Sequence, residues 1–390
     1  MSAAPSLPLA GSLPSLRRDP WRAFFPLGVL LAWAGVIHWF LYAIGASDRY
    51  DAVFHATAQI QGFLTSIALG FLFTFVPRRT GTPPPSMPTI AAGLAAPIAV
   101  TVLAWRADWA TAQVVWAACI GGVAVFVGRR VLSPAAARHL PGVFVWVPVA
   151  LLAGIAGAAL VAIAATLGPG EEPELWSLGR GWLLQGFISA LVVGVGGTML
   201  PALTRAEPPR LAEGAGSGRL GQLGAALLFL ASFPVEVYVA PRLGLALRAG
   251  VAGGVLVGVA RLWRPPAVPG LHRRLMWIAA WLLPIGYLAA TAWPEQRSAA
   301  LHVAFIGGFA LLALSVALHV AVSHGGHPER LAGRPWQLWC TGLLLLAAVV
   351  FRLLVGIDPM HLRPWLALAA GCFLLATLAW SSLVVPAIRG

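Results

Sequence analysis

Apolar residues in this chain come in long runs, each close to the length of a bilayer-crossing helix, separated by short breaks rich in Pro, Gly and Arg. A hydrocarbon core about 30 Å thick takes roughly 20 apolar residues per helix. The runs predict twelve helices, over 23–45, 53–76, 90–105, 110–128, 143–166, 179–200, 218–238, 243–262, 274–292, 298–322, 336–355 and 364–386. The fold class is therefore all-α: a polytopic membrane protein of about twelve transmembrane helices, forming one domain over 23–390. Residues 1–22, rich in Ser, Pro and Ala at their start, are expected to form a disordered cytoplasmic tail. The first apolar run is too long for a signal-peptide core, so no cleavage is expected.

Composition agrees with this reading, and charge adds an orientation. The chain is 59% hydrophobic and only 10% charged, and its 390 residues leave no room for a separate soluble domain beside twelve spans. All 26 basic residues are Arg, and they collect in alternate loops. Arg17, Arg18 and Arg22 precede the first span; Arg78 and Arg79 follow the second; Arg129, Arg130 and Arg138 follow the fourth. Arg205, Arg210 and Arg219 follow the sixth, Arg261, Arg264, Arg273 and Arg274 the eighth, and Arg330 and Arg334 the tenth. The intervening loops are poor in Arg, and one carries Glu171, Glu172 and Glu174. The positive-inside rule then places both termini in the cytoplasm of a bacterial inner membrane. The net charge of +13 follows from that topology, so no nucleic-acid partner is expected. The partner is the lipid bilayer.

Three histidines, His38, His55 and His302, stand near the same end of their spans. Imidazoles at one depth in a membrane suggest a metal or haem site. In the second span His55, Gln59, Gly62, Ser66 and Gly70 form one stripe of polar and small residues at helical spacing. Small residues at that spacing serve close helix packing, and a His near the edge can snorkel to water. A haem explains both features together, with imidazole as axial ligand and glycines admitting a flat macrocycle. His302 lies at a similar depth in the tenth span, with Gly307 and Gly308 below it, so His55 and His302 could share one iron as its axial pair. His38 remains open as a further ligand, a hydrogen-bond partner or a core residue. His319 is about 25 Å further along the helix and is grouped with His324 and His327 at the cytoplasmic surface. Arg49, Arg297, Arg352 and Arg363 are candidates to pair with haem carboxylates. Cys119, Cys340 and Cys372 make neither a Cys-x-x-Cys-His attachment nor a zinc pattern, so any haem would be held noncovalently, as a b-type haem is.

The chain resembles the NnrS family of polytopic bacterial membrane proteins. WRAFFPLG (Trp21–Gly28) is similar to the family's RPFFLLA, and GFLFTFVPRRTG (Gly70–Gly81) to its GFLLTAVPNWTG, with the eight-residue step from Gly62 to Gly70 kept. GGTMLPALTR (Gly196–Arg205) resembles GGRVIPFFT, and His302, Gly307 and the stretch His324–Gly326 align with HLFTVGALGG followed by GHTGR. The resemblance implies haem, copper and a part in the response to nitric oxide, with an electron donor as a further partner. The chain departs from the family's WHAHEM at Phe54–Gln59, where His55 stays but Thr57 and Ala58 replace the second His and the Glu. Thr198 and His319 stand at two family arginines. Haem is therefore expected, and tightly bound copper is not.

A wider resemblance links the chain to the large subunit of haem-copper oxidases, which also has twelve helices and holds its low-spin haem between histidines of helices two and ten. His55 and His302 match by helix number and depth. The oxidase copper histidines come from helices six and seven, where this chain has no His, so oxygen reduction with proton pumping is not expected. The function implied is nitric oxide handling by ligation or electron transfer at a periplasmic-side haem, with a haem-dependent oxidoreductase as its enzymatic form. Two competitors stand beside it. A twelve-helix secondary transporter would use Glu236 as its lone membrane acid, and a nonenzymatic sensor or assembly factor would bind haem without turnover. The endings FVPRR, LPALTR and VPAIR look alike but read as helix stops, with flanks that do not repeat.

Overall fold

A computed structural model describes residues 13–133, 140–168, 170–207, 215–326, 329–332 and 334–389. Twelve long helices follow one another: α1 (Trp21–Ala43), α2 (Ala52–Thr80), α3 (Met87–Trp105), α4 (Trp109–Val131), α5 (Gly142–Leu167), α6 (Pro173–Arg205), α7 (Gly218–Tyr238), α8 (Pro241–Gly258), α9 (Leu271–Ala292), α10 (Pro294–His324), α11 (Trp336–Ile357) and α12 (Pro359–Ile388). Eleven are long and apolar enough to cross a membrane. The exception is α8, an 18-residue helix carrying Arg242 and Arg248. The expected tail ends sooner than residue 22, because Leu13–Arg18 is already helical and α1 begins at Trp21. That segment is held in part by Arg17 Nε, which donates to Pro85 O at 3.0 Å, and by Arg78 Nη2, which donates to Arg18 O at 3.3 Å. The rest of the expected tail, residues 1–12, lies outside the described residues.

Consecutive helices pack side by side, and α12 closes against α1. Three helices sit inside this arrangement. The apolar windows of α2, α6 and α10 are 83%, 78% and 72% buried, against 28% to 56% for the other spans. Each of the three also widens into π-helical turns, over Ala58–Leu64, Gly181–Gly186 and Val303–Ala310. Such turns are rare, and they carry one extra residue that rotates everything beyond them.

The flanks of FVPRR and LPALTR do repeat, contrary to expectation. Gln61, Gly62, Phe63, Gly70, Thr74 and Pro77 of α2 match Gln185, Gly186, Phe187, Gly194, Thr198 and Pro201 of α6 at identical spacing. The structure repeats with the letters. Thr74 Oγ1 donates to Gly70 O at 2.7 Å, and Thr198 Oγ1 to Gly194 O at 2.9 Å. Gln61 exchanges two amide bonds with Gln113 of α4, at 2.8 and 3.0 Å, and Gln185 accepts from Arg248 of α8 at 2.9 Å. Each inner helix is thus pinned to the helix two places on. In α10 only the Gly–Phe step survives, as Gly308 and Phe309.

Arginine-rich loops gather on one face. Arg22 Nη1 donates to Ile388 O at 2.5 Å, Arg78 pairs with Asp19 at 2.7 Å, and Arg130 Nη2 donates to Pro83 O at 3.0 Å. Glu207 draws in Arg205 and Arg264, at 3.3 and 2.5 Å. Both ends of the described chain therefore lie on this arginine face. Arg138 and Arg210 fall outside the described residues.

Candidate functional site

At the opposite face, α2 is started by Asp51, whose carboxylate accepts from Phe54 N at 2.8 Å and pairs with Arg49 at 3.0 Å. That cap sets His55 one turn into the helix, against α1. Gly35 of α1 lets the two helices touch, since a Cβ there would strike Gln59 Nε2 and lie 2.9 Å from Ala58 Cβ. The close approach brings His55 Nδ1 within 2.7 Å of Gly35 O and Gln59 Nε2 within 2.8 Å of Ala32 O. On α10, His302 Nδ1 reaches back to Ser298 O at 2.6 Å.

Both tethers fix chemistry as well as position. A carbonyl oxygen can only accept, so the proton sits on Nδ1 of each ring, and in the neutral imidazole Nε2 keeps its lone pair. A ligand histidine is commonly oriented in this way. The two rings lie 6.5 Å apart by centroid at 21°, and Trp39 stacks on His55 at 4.2 Å and 13°. Two imidazole–metal bonds of about 2 Å each would span most of the gap between the rings. The residues present therefore fit one iron shared between α2 and α10.

The pair lines a cavity of about 740 Å³ bounded mainly by α1, α2, α6, α7, α10 and α12. Its volume lies within the usual range for a cofactor pocket. The π turns form part of its wall, through Gln59 and Ile60, Leu184 and Gln185, and Phe305 and Ile306. Aromatic rings line it too, and three arginines, Arg180, Arg297 and Arg352, stand in the wall. Glu236 is there as well, with both oxygens taken: Arg248 Nη2 donates to Oε2 at 2.6 Å and Arg297 Nε to Oε1 at 2.6 Å. Arg248 is wholly buried, with Ser232 Oγ at 3.2 Å and the Phe233 ring at 3.6 Å.

The structure sorts the sequence candidates. His55, His302, Gln59, Arg297 and Arg352 line the cavity, and His38 does not. His38 is buried behind His55, 6.4 Å away by centroid, between Phe54 and Trp105, with Nε2 3.3 Å from Asp51 O. Gly62 is also off the cavity. A Cβ on it would meet Thr101 Oγ1 at 3.0 Å and Leu31 Cβ at 3.2 Å, so its role is packing against α3 and α1. Gly307 and Gly308 likewise admit Leu282 and Leu283 of α9. Arg49 is spent on Asp51 and Trp105 O, and Arg363 is exposed. His319 pairs with His272 of α9, Nδ1 to Nε2 at 3.3 Å. His324 meets Arg78, and His327 lies outside the described residues.

Sequence reasoning missed Arg180 and His272, since neither stands in a patterned stripe. Among the described residues, no three of His, Cys, Asp and Glu converge as a metal group. The family model described as NnrS protein matches residues 15–390, nearly the whole chain. No curated protein matches it.

Proposed function

We propose, since the chain belongs to the NnrS family, that this membrane protein holds one b-type haem between His55 and His302 and serves the nitric oxide response of a bacterial inner membrane. One observation carries the reading: two imidazoles on different inner helices, each with Nδ1 tied to a backbone carbonyl, stand 6.5 Å apart in the wall of a large cavity. Bound haem would supply one-electron chemistry and an iron that nitric oxide can ligate. The chain's own part is to fix the Nε2 lone pairs, wall the pocket with apolar and aromatic groups, and hold Trp39 flat against one ligand. Two histidine ligands would suit the haem to electron transfer more than to gas binding, so His55 and His302 together favour the electron-transfer form of this reading.

The transporter reading loses its main support at Glu236. Its carboxylate is clasped by two guanidiniums, so it is not poised to take a cation. Absorption spectra of the purified protein, oxidised and reduced, test the proposal. Sharp reduced bands of a b-type haem are expected, weakened or lost in His55→Ala and His302→Ala and kept in His324→Ala. A colourless protein, or wild-type spectra in both alanine variants, would sink it. Metal analysis after a chelator wash is expected to find iron with little copper.

A further inference from the structure

Four arginines surround the cavity, and they are not equivalent. Arg297 lines it and Arg248 stands behind it, and the two share Glu236. Arg180 and Arg352 make no hydrogen bond or ion pair among the described residues. Arg352 is 8% exposed, and its Nε is buried without a partner. Its guanidinium stands 5.9 Å from the Trp39 ring, the same ring that stacks on His55. Arg180 is half-buried, with its guanidinium 5.6 Å from the Trp176 ring. A guanidinium inside a membrane span is costly unless it is paired.

Charge tells what is missing. Arg180, Arg248, Arg297 and Arg352 are set against Glu236 and the rim residue Glu174, an excess of two positive charges around one pocket. Two carboxylates would balance it. A guanidinium fork matches a carboxylate edge with two parallel bonds, so each free arginine suits one of them. Resting on the axial reading above, we propose that Arg352 and Arg180 would each hold one carboxylate of the haem. Arg297, Arg49 and Arg363, which the sequence alone offers equally, are not the partners. Two are already engaged and one lies outside the pocket.

Infrared redox-difference spectra of the holoprotein, grown with haem labelled with carbon-13 at its carboxyl groups, test this assignment. In the wild type the isotope-shifted bands should report ionised, hydrogen-bonded carboxylates. Arg352→Gln and Arg180→Gln should each displace part of that band set and speed haem loss roughly tenfold, whereas Arg363→Gln should do neither. If a Gln variant fails to accumulate, Arg352→Lys and Arg180→Lys keep the charge without the fork and should still displace the bands. Labelled bands that stay in place in both arginine variants, with haem retained, overturn the pairing and leave the axial ligands standing. Nitrite or inorganic phosphate that perturbs wild type but not Arg352→Gln, with labelled bands unmoved, assigns these arginines to a free anion and also overturns it. A wild-type protein without haem overturns both readings at once.

Discussion

At the scale of single residues, Gly35 matters as much as the histidine it supports. Its missing side chain is what lets α2 come close enough for His55 to reach a backbone oxygen. Gly35→Ala should cost about 1–3 kcal/mol through overpacking and lower haem content, because Gln59 and His55 move together. Gly122→Ala, inside a helix at a position with nothing within 4 Å of the added Cβ, should lower neither. Thermal unfolding in detergent alongside the haem-to-protein ratio decides between these outcomes. The buried Gln61–Gln113 exchange gives a second residue-scale test. Gln61→Leu alone strands the Gln113 amide and should cost about 1–3 kcal/mol. In the Gln61→Leu, Gln113→Leu pair the losses should fall well short of additive.

Among the elements, the helices themselves were plain in the sequence, since apolar runs closed by Pro and Arg leave little freedom in where a span ends. The stripe through α2 was only half legible. His55 and Gln59 face the cavity as expected, but Gly62 and Gly70 face neighbouring helices, with a Cβ on Gly70 falling 2.8 Å from Phe24 Cβ. A period of 3.6 carried across the stripe assumes an unbroken α-helix, and the turns over Ala58–Leu64 break it. The partner of each face was hidden for another reason: periodicity names a side of a helix, never the neighbour. Hence Arg180 was missed, and the His272 partner of His319 was not foreseen.

For the whole molecule, alternate arginine loops predicted that both ends share a face, and the Arg22 to Ile388 contact joins them there. Which side of the membrane that face meets is a separate expectation. Cysteine placed at Glu172 should react with an impermeant reagent from outside intact cells, and cysteine at Arg130 should not. The opposite pattern would invert the orientation. The likeness of α2 and α6 was visible in the letters but was taken for two similar helix stops. What separates a repeat from a coincidence here is the shared position inside the bundle and the matching bonds to α4 and α8, and neither is written in one dimension.

The two histidine tethers, from His55 and His302, end on backbone oxygens, Gly35 O and Ser298 O, and not on side chains. Every residue has a carbonyl, so no substitution can delete these acceptors. The proton position on both imidazoles is therefore insulated from mutational drift in the surrounding side chains. What heredity must preserve is the path of the chain: the contact of α1 with α2, and the first turns of α10.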